Sequence, residues 1–180
     1  MDLHLRFPET YPIRPGDDIN LELVLENSYD GSALKLMYGA WRFVCANGLV
    51  IGEIINRLRQ VHTMRLDDKR IISDFTFYIK TWKEETLPML RSFAEVGLTK
   101  KEGLDLIESF RIADKWKQAI AQRWVSEELI DTASAQSRQE RTAWALLNVI
   151  TWVTTHVKMS YGVERNIQAQ MMRNFIRKGR

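Results

Sequence analysis

The stretch Asn27–Ser32 (NSYDGS) separates two segments of alternating or largely apolar sequence, and this arrangement decides the fold. Ile19–Leu25 alternates apolar and polar residues before it, and Ala33–Cys45 follows it, so both segments are predicted to be strands. The dipeptide Asp30-Gly31 is a strong hairpin signal. Because both faces of the second segment are largely apolar, we predict a central strand that is covered on both sides.

The predicted sheet extends on both sides of this hairpin. Leu3–Phe7 alternates and predicts a short strand, and the prolines and glycine at positions 8–16 predict an extended or turning connection after it. After the central strand, Asn47-Gly48 predicts a turn and Leu49–Ile51 predicts the returning strand.

From Asp67 onward, glycine and proline become rare and apolar residues take helical spacing. Thr99 and Glu102 form a capping box that begins one helix, and Pro88 is expected to kink or break another. The predicted helices are Ser73–Glu95, one beginning after Thr99, Asp114–Ala133, Gln139–His156 and Val163–Arg177. Strands followed by four to five helices predict one α+β domain over residues 1–180, mainly strands in 1–66 and mainly helical in 67–180.

The composition argues against several classes of protein. The 180 residues are 45% hydrophobic and 27% charged, which is typical of a globular protein. No secretory signal and no membrane-spanning run is evident, so we expect a cytoplasmic protein without a membrane partner. The sequence has no Walker-type phosphate loop and no Gly-x-Ser-x-Gly elbow. Its three histidines and one cysteine form no ligand cluster, so neither a cofactor nor a metal is predicted.

The charge is unevenly distributed along the chain. Residues 1–31 hold two arginines against seven carboxylates, a net charge of −5, and residues 156–180 hold six cations against one carboxylate, a net charge of +5. This asymmetry predicts a polyanionic partner or head-to-tail association of copies. Cations near the end of a solvated helix are the alternative interpretation.

Three motifs, in this order, resemble a family found in phages and plasmids and catalogued as a domain of unknown function (DUF932). They are Asn27–Ser32, then Arg42–Leu49 with His62-Thr63 after it, and then Thr142–Asn148 with Thr155-His156 after it. The family has no assigned activity, and its occurrence on mobile genomes implies DNA metabolism, defence or counter-defence inside a bacterial or archaeal host. The order of strands, hairpin and helices is also similar to phage single-strand annealing proteins, which is an analogy of architecture.

Basic residues around the central strand are the strongest functional candidates. Residues 35–66 carry a net charge of +4, and arginine forks bind phosphates bidentately. Tyr38 and Trp41 lie close by in sequence and could stack on bases. The alternative is that Trp41, like most of the six tryptophans, belongs to the core and that the arginines pair with the acidic N-terminal segment. The predicted nucleic-acid-binding residues are Lys35, Arg42, Arg57, Arg59, His62, Arg65, Arg173, Arg177 and Lys178.

A second set of polar residues accompanies the motifs. Asn27, Asp30, Asn47 and His62 could form a polar pocket, in which Asp30 and His62 would serve an acid–base step. Asparagine and aspartate are also the usual turn residues beside glycine, so no catalytic residue is assigned and enzyme activity is left open. Asn148 and His156 lie on roughly one face of the predicted helix and, if buried, could join a hydrogen-bond network with the sheet.

These patterns favour a non-enzymatic DNA-binding protein of phage or plasmid type. We expect it to bind single strands, to anneal them in recombination or replication, and to form homo-oligomers. The alternative is a counter-defence or other interaction module that binds a host protein.

Overall fold

The structure, a computed structural model, describes residues 2–27, 34–42, 47–50, 58–60, 68–126 and 141–178. An antiparallel sheet forms the N-terminal part and helices follow it, which confirms the predicted α+β class. The strands are β1 (Asp2–Arg14), β2 (Asp17–Asn27), β3 (Leu34–Arg42), β4 (Asn47–Val50) and β5 (Leu58–Gln60).

The strand β3 is central in the sheet, as its two apolar faces predict. It pairs with β2 along its whole length, from Leu34 opposite Asn27 to Arg42 opposite Ile19. Its other edge is shared, because β4 pairs with its C-terminal half and β5 with its first three residues. Residues 38–40 are all buried, and successive strand residues point to opposite faces. Both faces of β3 are therefore covered at this point.

The strand β1 is longer than the sequence predicts. The prediction ended it at Phe7, but β1 continues through Pro8 and Pro12, and the chain turns at Gly16, whose φ of 78° suits glycine. The pairing register with β2 shifts twice, each time beside a proline. Among the described strands β1 pairs with β2 alone, and an edge strand tolerates proline because one row of its N–H groups is not needed.

Asn47 and Gly48 do not form the turn that the sequence predicts after β3. Asn47 and Gly48 are already paired residues of β4, opposite Arg42 and Trp41, so the prediction of a turn at Asn47-Gly48 is wrong. The described part of β3 ends at Arg42, and the predicted continuation to Cys45 lies outside the described residues. An Asn-Gly pair signals a two-residue loop. Here residues 43–46 separate the paired positions, and they, like the predicted hairpin residues 28–33, lie outside the described residues.

The first helix includes Asp68, so the predicted start at Ser73 is five residues too late. Thr99 Oγ1 accepts a hydrogen bond from the Glu102 N–H at 3.1 Å, and the Glu102 carboxylate accepts from the Thr99 N–H at 2.8 Å, which confirms the capping box. In the described ranges, no helix is both long enough and apolar enough to cross a membrane. The helices are α1 (Asp68–Thr81), α2 (Leu87–Glu95), α3 (Lys100–Glu108), α4 (Asp114–Val125), α5 (Ala143–His156) and α6 (Tyr161–Lys178).

Two further predicted helix boundaries are also wrong by several residues. The helix α4 ends at Val125, because Ser126 takes an extended backbone conformation, whereas the prediction continued to Ala133. The helix α5 begins at Ala143 and not at Gln139, with the Thr142 side chain accepting a hydrogen bond from a first-turn N–H. Residues 127–140 lie outside the described residues.

A single π-helical turn, Trp82–Thr86, joins α1 to α2 and the chain stays helical through Pro88, so of the predicted kink or break the break does not occur. The Leu87 N–H donates to the carbonyl of Trp82, five residues back. Pro88 follows immediately and has no N–H to donate. The wider turn therefore lets the helix continue through a proline that would disrupt a regular ladder.

One hydrophobic cluster joins the sheet to the helices. Leu21 and Leu23 of β2 belong to it, as do three buried tryptophans, so the predicted packing role is confirmed for Trp82, Trp124 and Trp144. Trp124 packs on α3 where Gly103 leaves room for its indole, and its Nε1–H donates to the carbonyl of Lys100 at 3.1 Å.

Candidate nucleic-acid interface

The sheet brings two of the predicted basic residues together. Lys35 of β3 and Arg59 of β5 are directly opposite each other in the antiparallel register, so their positions share one face of the sheet. Arg42 is seven residues from Lys35 along an uninterrupted strand. It therefore lies about 23 Å away and has the opposite parity, which assigns its position to the other face. These three residues do not form one continuous stripe.

The other predicted basic residues are less well defined. Arg173 is exposed on α6. Arg177 and Lys178 belong to the last turn of the same helix, and their side chains, like those of Lys35, Arg42 and Arg59, lie outside the described part of the structure. The remaining predicted residues, Arg57, His62 and Arg65, also lie outside the described residues.

The two asparagine motifs occupy opposite ends of β3. Asn27 is opposite Leu34, whereas Asn47 is opposite Arg42, and eight residues of strand separate these positions by about 26 Å. The predicted pocket would need both asparagines in one place, and the register separates them. Asp30, the third member, lies outside the described residues.

The predicted hydrogen-bond network from Asn148 and His156 to the sheet is absent from the described contacts. Asn148 donates from Nδ2 to the carbonyl of Trp144 at 2.9 Å, one turn back in α5. His156 is exposed at the end of α5 and not buried. Each side chain therefore serves its own local contact.

His156 instead belongs to a stack on Trp152, one helical turn before it. The two rings are almost parallel, at 5°, with centroids 4.4 Å apart. The Arg123 guanidinium of α4 lies over the same indole, with its central carbon 3.3 Å from the ring centroid. We call Arg123, Trp152 and His156 the tryptophan stack. A guanidinium this close to an indole face is held by cation–π attraction.

Hydrogen bonds fix the orientation of the imidazole in this stack. His156 Nδ1 lies 3.0 Å from the carbonyl of Trp152 and 2.9 Å from the Thr155 hydroxyl. Because a carbonyl oxygen can only accept, these contacts assign a proton to Nδ1. In the neutral ring Nε2 is then an acceptor at an exposed position. It could accept a hydrogen bond from a ligand.

An open groove of about 370 Å³ lies beside the tryptophan stack, between α4 and α5. Arg123 provides its charged group, Gln122 and Ser126 provide polar groups, and the other lining residues are largely apolar: Ala119, Trp152, Val153 and Val157. A planar ring with hydrogen-bonding edges fits such a lining chemically.

A second polar cluster, which the sequence interpretation missed, lies on β1 and β2. Glu22 is buried, and its Oε1 lies 3.0 Å from Arg6 Nε and 3.2 Å from His4 Nδ1, while those two residues are half exposed. His4, Arg6 and Glu22 lie on one face of the sheet, because the register places Arg6 opposite Glu22 and His4 is two residues from Arg6 on the same strand. The signal in the sequence was the alternation of His4 and Arg6 with leucines. The pairing partner could not be read from it.

A third cluster shows that one exposed lysine is already engaged. Tyr11 donates its hydroxyl to Glu9 at 2.5 Å, and Lys83 Nζ lies 3.4 Å from the same carboxylate. The hydrogen bond from Tyr11 lowers the pKa of Glu9, and the hydrogen bond to Glu9 raises the pKa of Lys83. Burial raises the pKa of Tyr11. Lys83 is thus paired locally and is a poor candidate for a phosphate ligand.

A model of the family described as Domain of unknown function (DUF932) matches residues 2–176, nearly the whole chain. The chain belongs to the DUF932 family. No curated protein and no solved structure matches it. In this DUF932 member, α5 contacts β4, so the helix that carries Thr142–Asn148 lies against the strand that carries Asn47–Leu49. The tryptophan stack lies at the far end of the same helix.

Proposed function

We propose that this DUF932 protein binds single-stranded DNA inside a bacterial or archaeal host and promotes annealing during recombination or replication, without catalysing a reaction. The observation that carries the proposal is the tryptophan stack beside its open groove. Proteins that hold single strands combine aromatic or planar cationic surfaces for the bases with basic residues for the phosphates.

The chemistry of the stack suits an unpaired base. The imidazole of His156 is exposed and flat, and Arg123 adds a positive charge close to the same ring system. A base in a duplex has both faces covered by its neighbours, whereas a base in a single strand can transfer one face to a protein ring. The stack therefore favours single-stranded over duplex DNA as the ligand.

The phosphates would be bound by the basic residues of the sheet. Lys35 and Arg59 are cross-strand neighbours, and Arg57 and Arg65 lie close to Arg59 in sequence. Two or more cations at the spacing of neighbouring phosphates release counterions when a strand binds, which makes the affinity depend on salt. Arg173, Arg177 and Lys178 of α6 are further candidates for contact with the backbone.

The test is a fluorescence anisotropy titration of a labelled single-stranded oligonucleotide over a series of salt concentrations, with the duplex as comparator. We expect tighter binding of the single strand and an affinity that falls steeply as salt is added. Arg57→Glu with Arg59→Glu should weaken binding by about tenfold or more and reduce the salt slope by about two.

The matched control is Lys101→Glu with Lys115→Glu. It reverses the same number of charges at exposed first-turn positions of α3 and α4, where glutamate is favourable for the helix dipole. If the control weakens binding as much as the arginine variant, the effect is one of net charge and the site assignment is wrong. If the wild-type chain binds no oligonucleotide at low salt, the proposed function is overturned.

A further inference from the structure

The outer edge of β1 has no strand beside it among the described residues, because β1 pairs with β2 and with no other described strand. The segment Asp2–Arg6 pairs with β2 in an unbroken register, and the first register shift follows it. Such an edge is a template for another strand, and natural proteins usually protect it. Pro8 and Pro12 protect the C-terminal part of β1, since proline has no N–H to offer, but nothing of this kind protects Asp2–Arg6.

The side chains on this segment are also unusual for a solvated edge. Leu3 is 47% exposed and Leu5 is 48% exposed, although the register assigns both to the face that carries Leu23 of the core. His4 and Arg6 lie on the opposite face, where they contact Glu22. The segment therefore has one apolar face and one charged face, and the apolar face is incompletely covered.

We propose that this edge pairs with the same edge of a second copy, antiparallel and around a two-fold axis at His4. In this register Leu3 is opposite Leu5 of the second copy, and Asp2 is opposite Arg6. Apolar residues thus meet apolar residues on one face, and opposite charges meet on the other. An isologous contact of this kind is self-complementary and closes at two copies.

The neighbouring registers are less favourable. A shift of one residue would pair leucines with charged residues, because it exchanges the two faces of one strand. An axis at Leu5 would place His4 opposite Arg6 and bring Pro8 into the ladder. An axis at His4 keeps the pairing within Asp2–Arg6, where the edge is free of proline. The pairing joins the two sheets into one, and it stands independently of DNA binding.

The test is sedimentation of the chain from low micromolar to the highest soluble concentration, with Leu3→Lys and Leu5→Lys combined in one variant. We expect the wild-type chain to dimerise and the variant to raise the dissociation constant by about tenfold or more, because lysine blocks edge pairing and removes the leucine contact. The matched control is Val96→Lys with Val125→Lys, which alters two residues of similar exposure, 48% and 42%, away from the edge.

Hydrogen exchange provides a measurement that does not depend on the variant folding. In the wild-type chain, those amides of residues 3–6 that do not donate to β2 should become more protected as the concentration rises. A chain that is monomeric throughout, a dimer that persists in the leucine variant with its fold intact, or protection of these amides at every concentration would overturn the proposal. The last result would mean that another segment of the same chain covers the edge.

Discussion

Trp144 donates its indole N–H to a carboxylate oxygen of Asp17 at 2.7 Å, and both side chains are buried. Asp17 is the first residue of β2 and Trp144 lies in the first turn of α5, 127 residues later. Arg14 Nε is 3.6 Å from the same oxygen and supplies the positive charge that a buried carboxylate requires. The bond therefore fixes the helical part of the chain against the turn between β1 and β2.

Replacing Trp144 by phenylalanine should destabilise the protein by about 2 kcal/mol, because a hydrogen bond to a buried charged group is lost while much of the ring packing remains. Chemical denaturation measures the change. Trp116→Phe is the control, since Trp116 is only partly buried and no hydrogen bond of its indole is observed among the described residues. An equal loss of stability in the two variants would mean that the smaller ring, and not the lost hydrogen bond to Asp17, destabilises the Trp144→Phe protein.

Gly103→Ala should destabilise the protein by about 1–2 kcal/mol, although alanine is the better helix former. A β-carbon at position 103 would lie 2.2 Å from Nε1 of the buried Trp124, so the indole must move, and overpacking outweighs the gain in helix propensity. Gly97→Ala is the control, because a β-carbon there meets nothing within 4 Å. Thermal unfolding of both variants measures the change in stability. A Gly103→Ala protein as stable as the wild type would contradict the close packing of Trp124 against position 103.

The free energy of unfolding should fall as the pH rises above about 10, which is the ordinary pKa of a tyrosine side chain. Burial raises the pKa of Tyr38, with the hydrogen bond to Thr86 opposing it in part. The folded state then holds this proton more tightly than the unfolded state. The corresponding stabilisation is complete below the ordinary value and is lost as the pH rises through the folded-state pKa.

Tyr38→Phe separates this contribution from other effects of alkali. At neutral pH it should cost about 1 kcal/mol through the lost hydrogen bond. The cost should shrink above pH 10, because the wild-type chain loses stability there and the variant lacks the hydroxyl. Urea denaturation at neutral pH and above pH 10 measures this loss of stability for the variant. A loss that does not change with pH would show that Tyr38 titrates as it does in the unfolded chain.

His156→Ala should weaken binding of a single-stranded oligonucleotide by about tenfold, in the range found for base stacking on protein rings. Because stacking releases no counterions, the salt slope should stay that of the wild type, unlike the slope of the Arg57 and Arg59 variant. His156 is exposed, so the substitution should leave the fold unchanged. Unaltered affinity would remove the tryptophan stack from the binding site.

Local rules predicted the elements whose determinants lie within a few residues. The alternation of Ile19–Leu25 gave β2 its correct core face, and Thr99 and Glu102 form their capping box within a single turn. The same rules failed for β1. Whether Pro8 and Pro12 end a strand depends on whether that strand is at an edge, and this is a property of the assembled sheet.

The site was predicted less completely than the fold. The register shows that Asn27 and Asn47 are at opposite ends of β3, which turn signals alone cannot reveal. The stack of His156 on Trp152 was accessible in principle, because residues four apart share a helix face. The position of Arg123 over the same ring was not, since it comes from a different helix.

The π-helical turn is a position at which the chain can lose one residue while its buried side chains stay on one side of the helix. Thr81 and Trp82 lie at the start of this turn and Thr86 and Leu87 at its end. All four are buried, and five residues separate Thr81 from Thr86 and Trp82 from Leu87. In a regular α-helix such residues would lie about 140° apart around the axis, and the wider turn brings them back towards one side. Removing one residue from positions 83–85 would leave a four-residue spacing, which a regular helix accommodates. Relatives one residue shorter at this point can therefore keep both packing faces of the helix aligned.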